Sequence, residues 1–361
     1  MNSLTFLMAG GGTGGHVIPA VAVAHELSKR GHRAVFVGTR RGFEARLVPA
    51  AGFPIEWIEI GGLMSVGFRR TLRTFAQLPA ACLRAGRYLR QHRAAAVFSM
   101  GGYVAGPVML AAWLRSVPMI LMEPNAMPGL TNRRMGRFVR RALLGFEDTA
   151  RWFPPGKTVL TGLPVRAGFY EVPPKPPGHT LTVLITGGSR GSRTLNNARG
   201  QLLPLVKSSG FPLKVMHQCG NEAYEGLKRE FEVSGAPGSL SAFIDDMPRA
   251  FAQADLVVGR SGASAVAELA AAGKPSILVP FPYASEQHQL RNAQAMERAG
   301  AARVIPDREM TGERLFAELK ELFDSPGLLE RMGQAARGLS HPDAAVRAAD
   351  ILEEAASGNV A

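Results

Sequence analysis

Short apolar runs that end in glycine or proline alternate with stretches of helical period along the whole chain. The first run is Leu4–Ala9; five of the next six residues are glycine, interrupted by Thr13. Helical periodicity then extends from Val21 to Leu27 and stops at Gly31. Strand, glycine turn and helix follow one another in that order. Ala34–Gly38, Ile55–Ile60, Ala94–Ser99, Pro118–Met122 and Val159–Leu163 read as further strands. Glu44–Gly52 reads as a short helix and Thr131–Leu144 as a basic amphipathic one. After a stretch with four prolines at 171–180, the pattern restarts with strands from Leu181, at Pro212–Cys219 and at Leu240–Ile244. Met247–Gln253, Gln287–Ala299, Glu313–Phe323 and His341–Ala356 read as helices.

The second half repeats the first. LTVLITGGSRGS at 181–192 restates LTFLMAGGGTGG at 4–15. Strand, glycine turn, small-residue helix, strand and proline recur at 97–124 and at 256–282. Two similar α/β domains follow, residues 1–163 and 164–340, joined near the prolines. A glycine turn between strand and helix admits a ligand close to the backbone and presents helix N–H groups to an anion. It also serves as a tight βα turn with no ligand. The spacing matches neither the dinucleotide fingerprint nor a Walker loop.

Length and composition fit two globular domains: 361 residues, 46% hydrophobic and 20% charged. Cys82 and Cys219 fall in different halves, as in a reduced cytosolic protein, and no zinc or haem spacing occurs. The N-terminus lacks the basic region of a signal peptide, and no apolar stretch approaches the roughly 20 residues of a membrane span.

Charge changes the picture. Between Ile60 and Phe146, thirteen arginines stand against one acidic residue, Glu123, and no lysine, so this segment carries +12 of the net +13. Phe68, Leu72 and Phe75 recur at helical spacing with Arg69, Arg70 and Arg73 between them. This is either a core-facing helix with a solvated basic face or a surface that sits on anionic lipid. The absence of acidic residues favours the membrane, and sparse aromatics argue against nucleic acid.

GGGTGGHVIPA, MGGYVAGP, EPNAMPGLTN, TGLPVR, GGSRGSRTLN, FIDDM, RSGASAVAELAAAGKPSILVPFP and HQLRNA occur in one order along nearly the whole chain. In that order they resemble the MurG family of bacterial peptidoglycan glycosyltransferases. The resemblance implies a GT-B fold: two Rossmann-like α/β domains with parallel sheets facing a central cleft, the C-terminal helix 341–361 returning to the first domain. It implies transfer of GlcNAc from UDP-GlcNAc to the 4-hydroxyl of MurNAc in lipid I, with inversion, giving lipid II. It places the protein peripherally on the cytoplasmic face of the cell membrane, with possible cell-wall and division proteins as partners. The rival activities are transfer from a UDP-sugar to diacylglycerol, UDP-GlcNAc 2-epimerisation, or a non-catalytic scaffold.

Such a transfer needs a base, stabilisation of the leaving diphosphate and positioning of both sugars. No Asp-x-Asp metal motif is present, and Asp245-Asp246 are too close in sequence to chelate well, so neither metal nor cofactor is expected. The resemblance implies a donor set of Ser189, Ile244, Ala263, Ser264, Ala265, Val266, Glu268 and Gln289 in the second domain. Thr13, Gly14, Gly15 and Asn125 of the first domain and Arg166 at the hinge would complete it. Glu268 would take the ribose hydroxyls, or is an ordinary surface carboxylate. Gln289 would take GlcNAc, or His288 would. Gly11, Gly12, Gly101, Gly102 and Tyr103 would hold the acceptor pyrophosphate. His16, the imidazole inside a glycine turn, is the candidate base, or a capping or phosphate-binding group; Glu123 is its rival. Three departures from the family pattern stand out: Met122 and Pro124 around Glu123, Arg190 in GGSRGS, and Ser264 in RSGAS.

Overall fold

The computed structural model describes residues 3–12, 14–61, 68–176 and 178–358, with backbone alone for 68–73 and 75. The chain divides into two compact units: residues up to Val165 together with those from His341 on, and Arg166–Ser340.

In the first unit the elements are β1 Thr5–Gly10, α1 Gly14–Lys29, β2 Arg33–Gly38, α2 Glu44–Ala50, β3 Ile55–Trp57, α3 Phe68–Gln91, β4 Ala96–Gly101 and α4 Gly102–Trp113. β5 Met119–Glu123, α5 Leu130–Met135, β6 Arg141–Leu144 and β7 Thr158–Leu160 complete its sheet. The strands pair in parallel in the order β3-β2-β1-β4-β5-β6-β7. Helices cover both faces of such a sheet, which is why β1 and β4 are continuous apolar runs: Phe6, Leu7, Met8, Val97 and Phe98 are all fully buried. Each such side chain contributes roughly 1.5–3 kcal/mol.

The second unit repeats the plan. It runs β8 Leu181–Thr186, α6 Arg193–Ser209, β9 Leu213–Gln218, α7 Asn221–Ser234, β10 Gly238–Ser241, α8 Met247–Gln253, β11 Leu256–Gly259 and α9 Ala263–Ala272. β12 Ser276–Leu278, α10 His288–Arg298, β13 Ala302–Val304, α11 Gly312–Asp324 and α12 Leu328–Gly338 follow. The sheet order is β10-β9-β8-β11-β12-β13, again parallel. Two Rossmann-like α/β units of this kind are what the GT-B expectation requires.

The final helix, α13 Ala344–Ser357, belongs to the first unit. Its alanine-rich face, with Ala348, Ala349, Leu352 and Ala355 buried, packs on α1. Arg30 at the end of α1 bonds Asp350 at 2.6 Å and Glu353 at 2.8 Å.

The expected helix over Thr131–Leu144 is corrected. α5 ends at Met135, a 3-10 turn takes Gly136–Phe138, and Arg141–Leu144 is β6. Ala142, Leu143 and Leu144 are buried between β5 and β7, and that burial on both sides outweighs the local helical period.

α3 turns Ala81, Ala85 and Leu89 inward and Arg84, Arg87 and Arg90 outward. The side chains of Phe68, Arg69, Arg70, Leu72, Arg73 and Phe75, on which the membrane reading rested, lie outside the described residues. No helix among the described residues is long and apolar enough to cross a membrane.

Candidate active site

Each sheet reverses its strand order once beside its central strand: between β1 and β4 in the first unit, between β8 and β11 in the second. Ligands of open parallel sheets bind at such points, beyond the carboxyl ends of the strands. All four glycine turns lie there, because each follows one of these four strands directly.

In the first unit, the turn after β4 closes on the turn after β1. Gly102 has φ +78°, and a β-carbon there would stand 3.2 Å from the Gly11 carbonyl and 3.6 Å from the His16 ring. Glycine is required by both backbone angle and space. The structure therefore brings Gly11, Gly12, His16, Gly102 and Tyr103 together. Gly14 and Gly15 open α1, and Thr13 lies outside the described residues. His16 Nδ1 lies 3.3 Å from the Gly11 carbonyl oxygen. A carbonyl only accepts, so Nδ1 carries the proton and a neutral ring keeps its lone pair on Nε2. That is the tautomer a base at Nε2 needs.

Glu123 is held on both of its oxygens. Its Oε1 accepts from the Asn125 backbone N–H at 3.0 Å and its amide at 3.2 Å. Its Oε2 accepts from Gly129 N–H at 3.1 Å and Asn132 Nδ2 at 2.9 Å. Burial pushes its carboxyl up to about 7 against the pull of these donors. With both oxygens accepting from N–H groups, Glu123 anchors the 124–129 loop. Met122 is fully buried and Pro124 needs no N–H partner, so these departures leave the anchor intact.

In the second unit, the turn Gly187–Ser192 follows β8, exposing Ser189 and Arg190. Ser192 caps α6, accepting from Leu195 N–H. After β11, Arg260 reaches across the strand ends to Asp307 Oδ1 at 2.5 Å and Ser192 Oγ at 2.7 Å. Its guanidinium ties the two turns together beneath the site. α9 begins at Ala263 with no side-chain cap, so the N–H groups of Ala263, Ser264 and Ala265 have no partner within the helix, while the Val266 N–H already donates to the Gly262 carbonyl at 3.0 Å. The Ser264 hydroxyl is buried with no partner among the described residues. Glu268, one turn on, has its carboxyl pushed up to about 7 by burial, while Arg166 pulls it back from 3.4 Å. Gln289 opens α10; its Oε1 accepts from Phe281 N–H at 3.0 Å. His288 Nδ1 donates to the Ser285 carbonyl at 2.7 Å.

Ile244 lies in the loop after β10. Its N–H is already donated to Gln218 Oε1 at 2.8 Å, which leaves the carbonyl for a base. Gln218 is buried at the end of β9, and its Nε2 also donates to Thr186 Oγ1 at 3.2 Å and the Gly188 carbonyl at 2.9 Å. One side chain thus joins the phosphate-type turn to the Ile244 loop. Phe243, half exposed beside Ile244, offers a flat apolar surface.

Sequence reading did not pick out Glu44, Asn132, Gln218, Arg260 or Asp307. Glu44, Gln218 and Asp307 lie outside the quoted motifs, Asn132 and Arg260 at the ends of two of them, and the fold brings all five beneath the turns. It also passed over Leu83, Trp113 and Leu114, which are exposed large apolar side chains close in sequence to Arg84, Arg87 and Arg115. Among the described residues no group of three or more His, Cys, Asp or Glu could hold a metal ion.

Residues 6–144 match the glycosyltransferase family 28 N-terminal domain, and residues 182–348 match the family's C-terminal domain. A protein of Solibacter usitatus (strain Ellin6076), named UDP-N-acetylglucosamine–N-acetylmuramyl-(pentapeptide) pyrophosphoryl-undecaprenol N-acetylglucosamine transferase, is 57% identical over 352 residues, covering 98% of this chain and 96% of its own. The protein of that name from Halorhodospira halophila (strain DSM 244 / SL1) is 44% identical, covering 99% of this chain and 100% of its own. The crystal structure of Acinetobacter baumannii MurG superposes with a TM-score of 0.82 at 33% identity, over 97% of this chain and 99% of that one. The chain belongs to the MurG family of UDP-GlcNAc-dependent glycosyltransferases.

Proposed function

We propose that this chain transfers GlcNAc from UDP-GlcNAc to the 4-hydroxyl of MurNAc in undecaprenyl-pyrophosphoryl-MurNAc-pentapeptide, giving lipid II for peptidoglycan synthesis. The observation that carries this reading is the 57% identity, from end to end, to a relative named for that transfer. Transfer with inversion is a single displacement. His16 Nε2 takes the proton of the acceptor hydroxyl as that oxygen attacks the anomeric carbon, and the UDP oxygen departs with the bonding pair. The N–H groups at the start of α9, the Ser264 hydroxyl and Ser189 receive the diphosphate's growing charge. Glu268 accepts from the ribose, the Ile244 carbonyl from the uracil N–H, and Gln289 holds the sugar. Arg166, Gly14, Gly15 and Asn125 complete the donor set.

The reaction needs no metal in this reading. The acceptor's lipid tail keeps the protein at the cytoplasmic membrane surface, which the arginine-rich segment and exposed Leu83, Trp113 and Leu114 suit. The decisive experiment is a transfer assay with labelled UDP-GlcNAc, a short-chain lipid I analogue and excess EDTA. Labelled disaccharide lipid is expected. No product, with or without added divalent metal, refutes the acceptor assignment.

A further inference from the structure

Glu44, on the short helix α2, is fully buried although nothing in its motif context marks it. Its Oε1 accepts from the Thr39 backbone N–H and hydroxyl, each at 2.9 Å. Its Oε2 accepts from the Gly12 N–H at 2.9 Å. The chain makes room for this carboxylate with small residues: a β-carbon at Gly11 would stand 2.6 Å from Oε1, and one at Gly42 would overlap the carboxylate outright. Gly11 is therefore glycine for the sake of Glu44 as well as for any ligand.

The Gly12 nitrogen and the Gly11 carbonyl belong to one peptide group. On one side that group donates to Glu44; on the other it accepts from His16 Nδ1. We infer that Glu44 is a positioning residue for His16, acting through the Gly11–Gly12 peptide: carboxylate, amide and imidazole form a single hydrogen-bonded line. The carboxylate polarises the amide, which makes its carbonyl a stronger acceptor and holds the proton on Nδ1. A serine-hydrolase triad reaches the same end by direct contact between carboxylate and imidazole. Here the proton of the acceptor hydroxyl goes to Nε2, and none passes to Glu44.

The same line fixes a second group. Thr39 spends its hydroxyl proton on Glu44, so in its 3.2 Å contact with Tyr103 the phenol is the donor. Tyr103 is the titratable side chain that faces Glu44; burial above all, and Glu44 with it, push its phenol up, while Thr39 opposes. With its proton turned inward, Tyr103 offers lone pairs outward, fit to accept from a hydroxyl of the acceptor.

The inference rests on His16 being the base, and the experiment separates the two. Selective 15N-histidine labelling of the full chain, with the His16 signal assigned by its loss in His16→Ala, reads the tautomer directly. In the wild type, His16 is expected as the Nδ1–H tautomer. In Glu44→Gln that preference is lost, the acid limb of the pH–rate profile moves to lower pH because a nearby negative charge is gone, and kcat falls about tenfold with the KM for UDP-GlcNAc unchanged. A wild-type Nε2–H tautomer overturns the inference without any variant. So does a folded Glu44→Gln protein with unchanged tautomer and pH profile. Should Glu44→Gln not fold, Glu44→Asp, which draws the carboxylate back from the Gly12 N–H, is read for the same loss of the Nδ1–H preference and the same shift of the acid limb, and a folded Glu44→Asp protein with neither change overturns the inference. Wild-type turnover in His16→Ala would remove the base assignment instead, whatever the tautomer.

Discussion

Replacing Gln218 by Leu removes the link between the two parts of the proposed nucleotide site. The side chain makes three hydrogen bonds, to Thr186 Oγ1, the Gly188 carbonyl and the Ile244 N–H, and is almost wholly buried. Leucine keeps most of the volume and none of the bonds. At about 1 kcal/mol each, their loss costs the second unit about 3 kcal/mol. That is a fall of roughly 6–12 °C in its melting temperature. Binding loses less, because UDP itself can re-order the loop. One bond's worth of positioning, about 1–1.4 kcal/mol, corresponds to a five- to tenfold rise in the KM for UDP-GlcNAc. The KM for the lipid acceptor and kcat stay within about twofold of wild type, since Gln218 is remote in role from the proton transfer. Steady-state kinetics with each substrate varied in turn, beside calorimetry, reads all of this. A folded variant whose donor KM is unchanged, or lower, refutes the argument. A lower KM would mean that Gln218 competes with the nucleobase for the Ile244 N–H rather than preparing it.

Other perturbations reach other parts of the protein. Glu268→Gln raises the donor KM about tenfold, and it flattens a pH dependence in which the wild-type KM rises as pH falls through about 7, where the carboxylate is protonated; KM measured from pH 5.5 to 8.5 checks both. Glu123, held near 7 from an ordinary value of 4.5, binds a proton more tightly folded than unfolded. Its contribution to stability is fully present below about 4.5 and is lost as pH rises through about 7, an effect on the order of 3 kcal/mol by linkage, visible in denaturant titrations of the first unit. His217 in the second unit works the other way: burial depresses it to about 3, so stability is lost as pH falls from about 6.5 towards 3. Trp113→Ser with Leu114→Ser weakens flotation with anionic vesicles at least several-fold while lipid-free transfer to a water-soluble acceptor persists; undiminished flotation places the contact elsewhere.

The strands and the turns were legible in the sequence because parallel sheets buried on both faces write themselves as continuous apolar runs, and because strand, glycine and helix repeat in both halves. β6 was not legible. RALL follows a basic helical pattern directly, and only the neighbouring strands β5 and β7 reveal that Arg141–Leu144 must extend. Among the candidate residues, the glycine turns were visible as turns, but their roles and the residues at the start of α9 came only with the resemblance to the family. The side chains beneath them were not legible: Glu44, Gln218 and Arg260 sit outside or at the edge of every motif, and burial is a property of the folded chain. Glu123 shows the converse. It was prominent in the sequence as a lone acid in a basic segment, yet the fold surrounds it with N–H donors.

What lies beneath a glycine turn also says what the turn is for. The two halves share one plan, so strand, turn and helix alone cannot distinguish a site for anions from a site for protons. Under the second unit's turns lie a neutral amide, Gln218, and a cation, Arg260, with the uncapped start of α9 alongside. The Asp307 carboxylate beside them is paired with Arg260. Under the first unit's turn lies a carboxylate that has already taken the Gly12 N–H, with a phenol whose proton points inward. A second anion gains little from that turn, while an imidazole gains a fixed tautomer. On the function proposed above, the gene-duplicated look of the sequence hides a division of labour set by charge: the second unit's turns would stabilise a leaving anion, and the first unit's turn would hold a base.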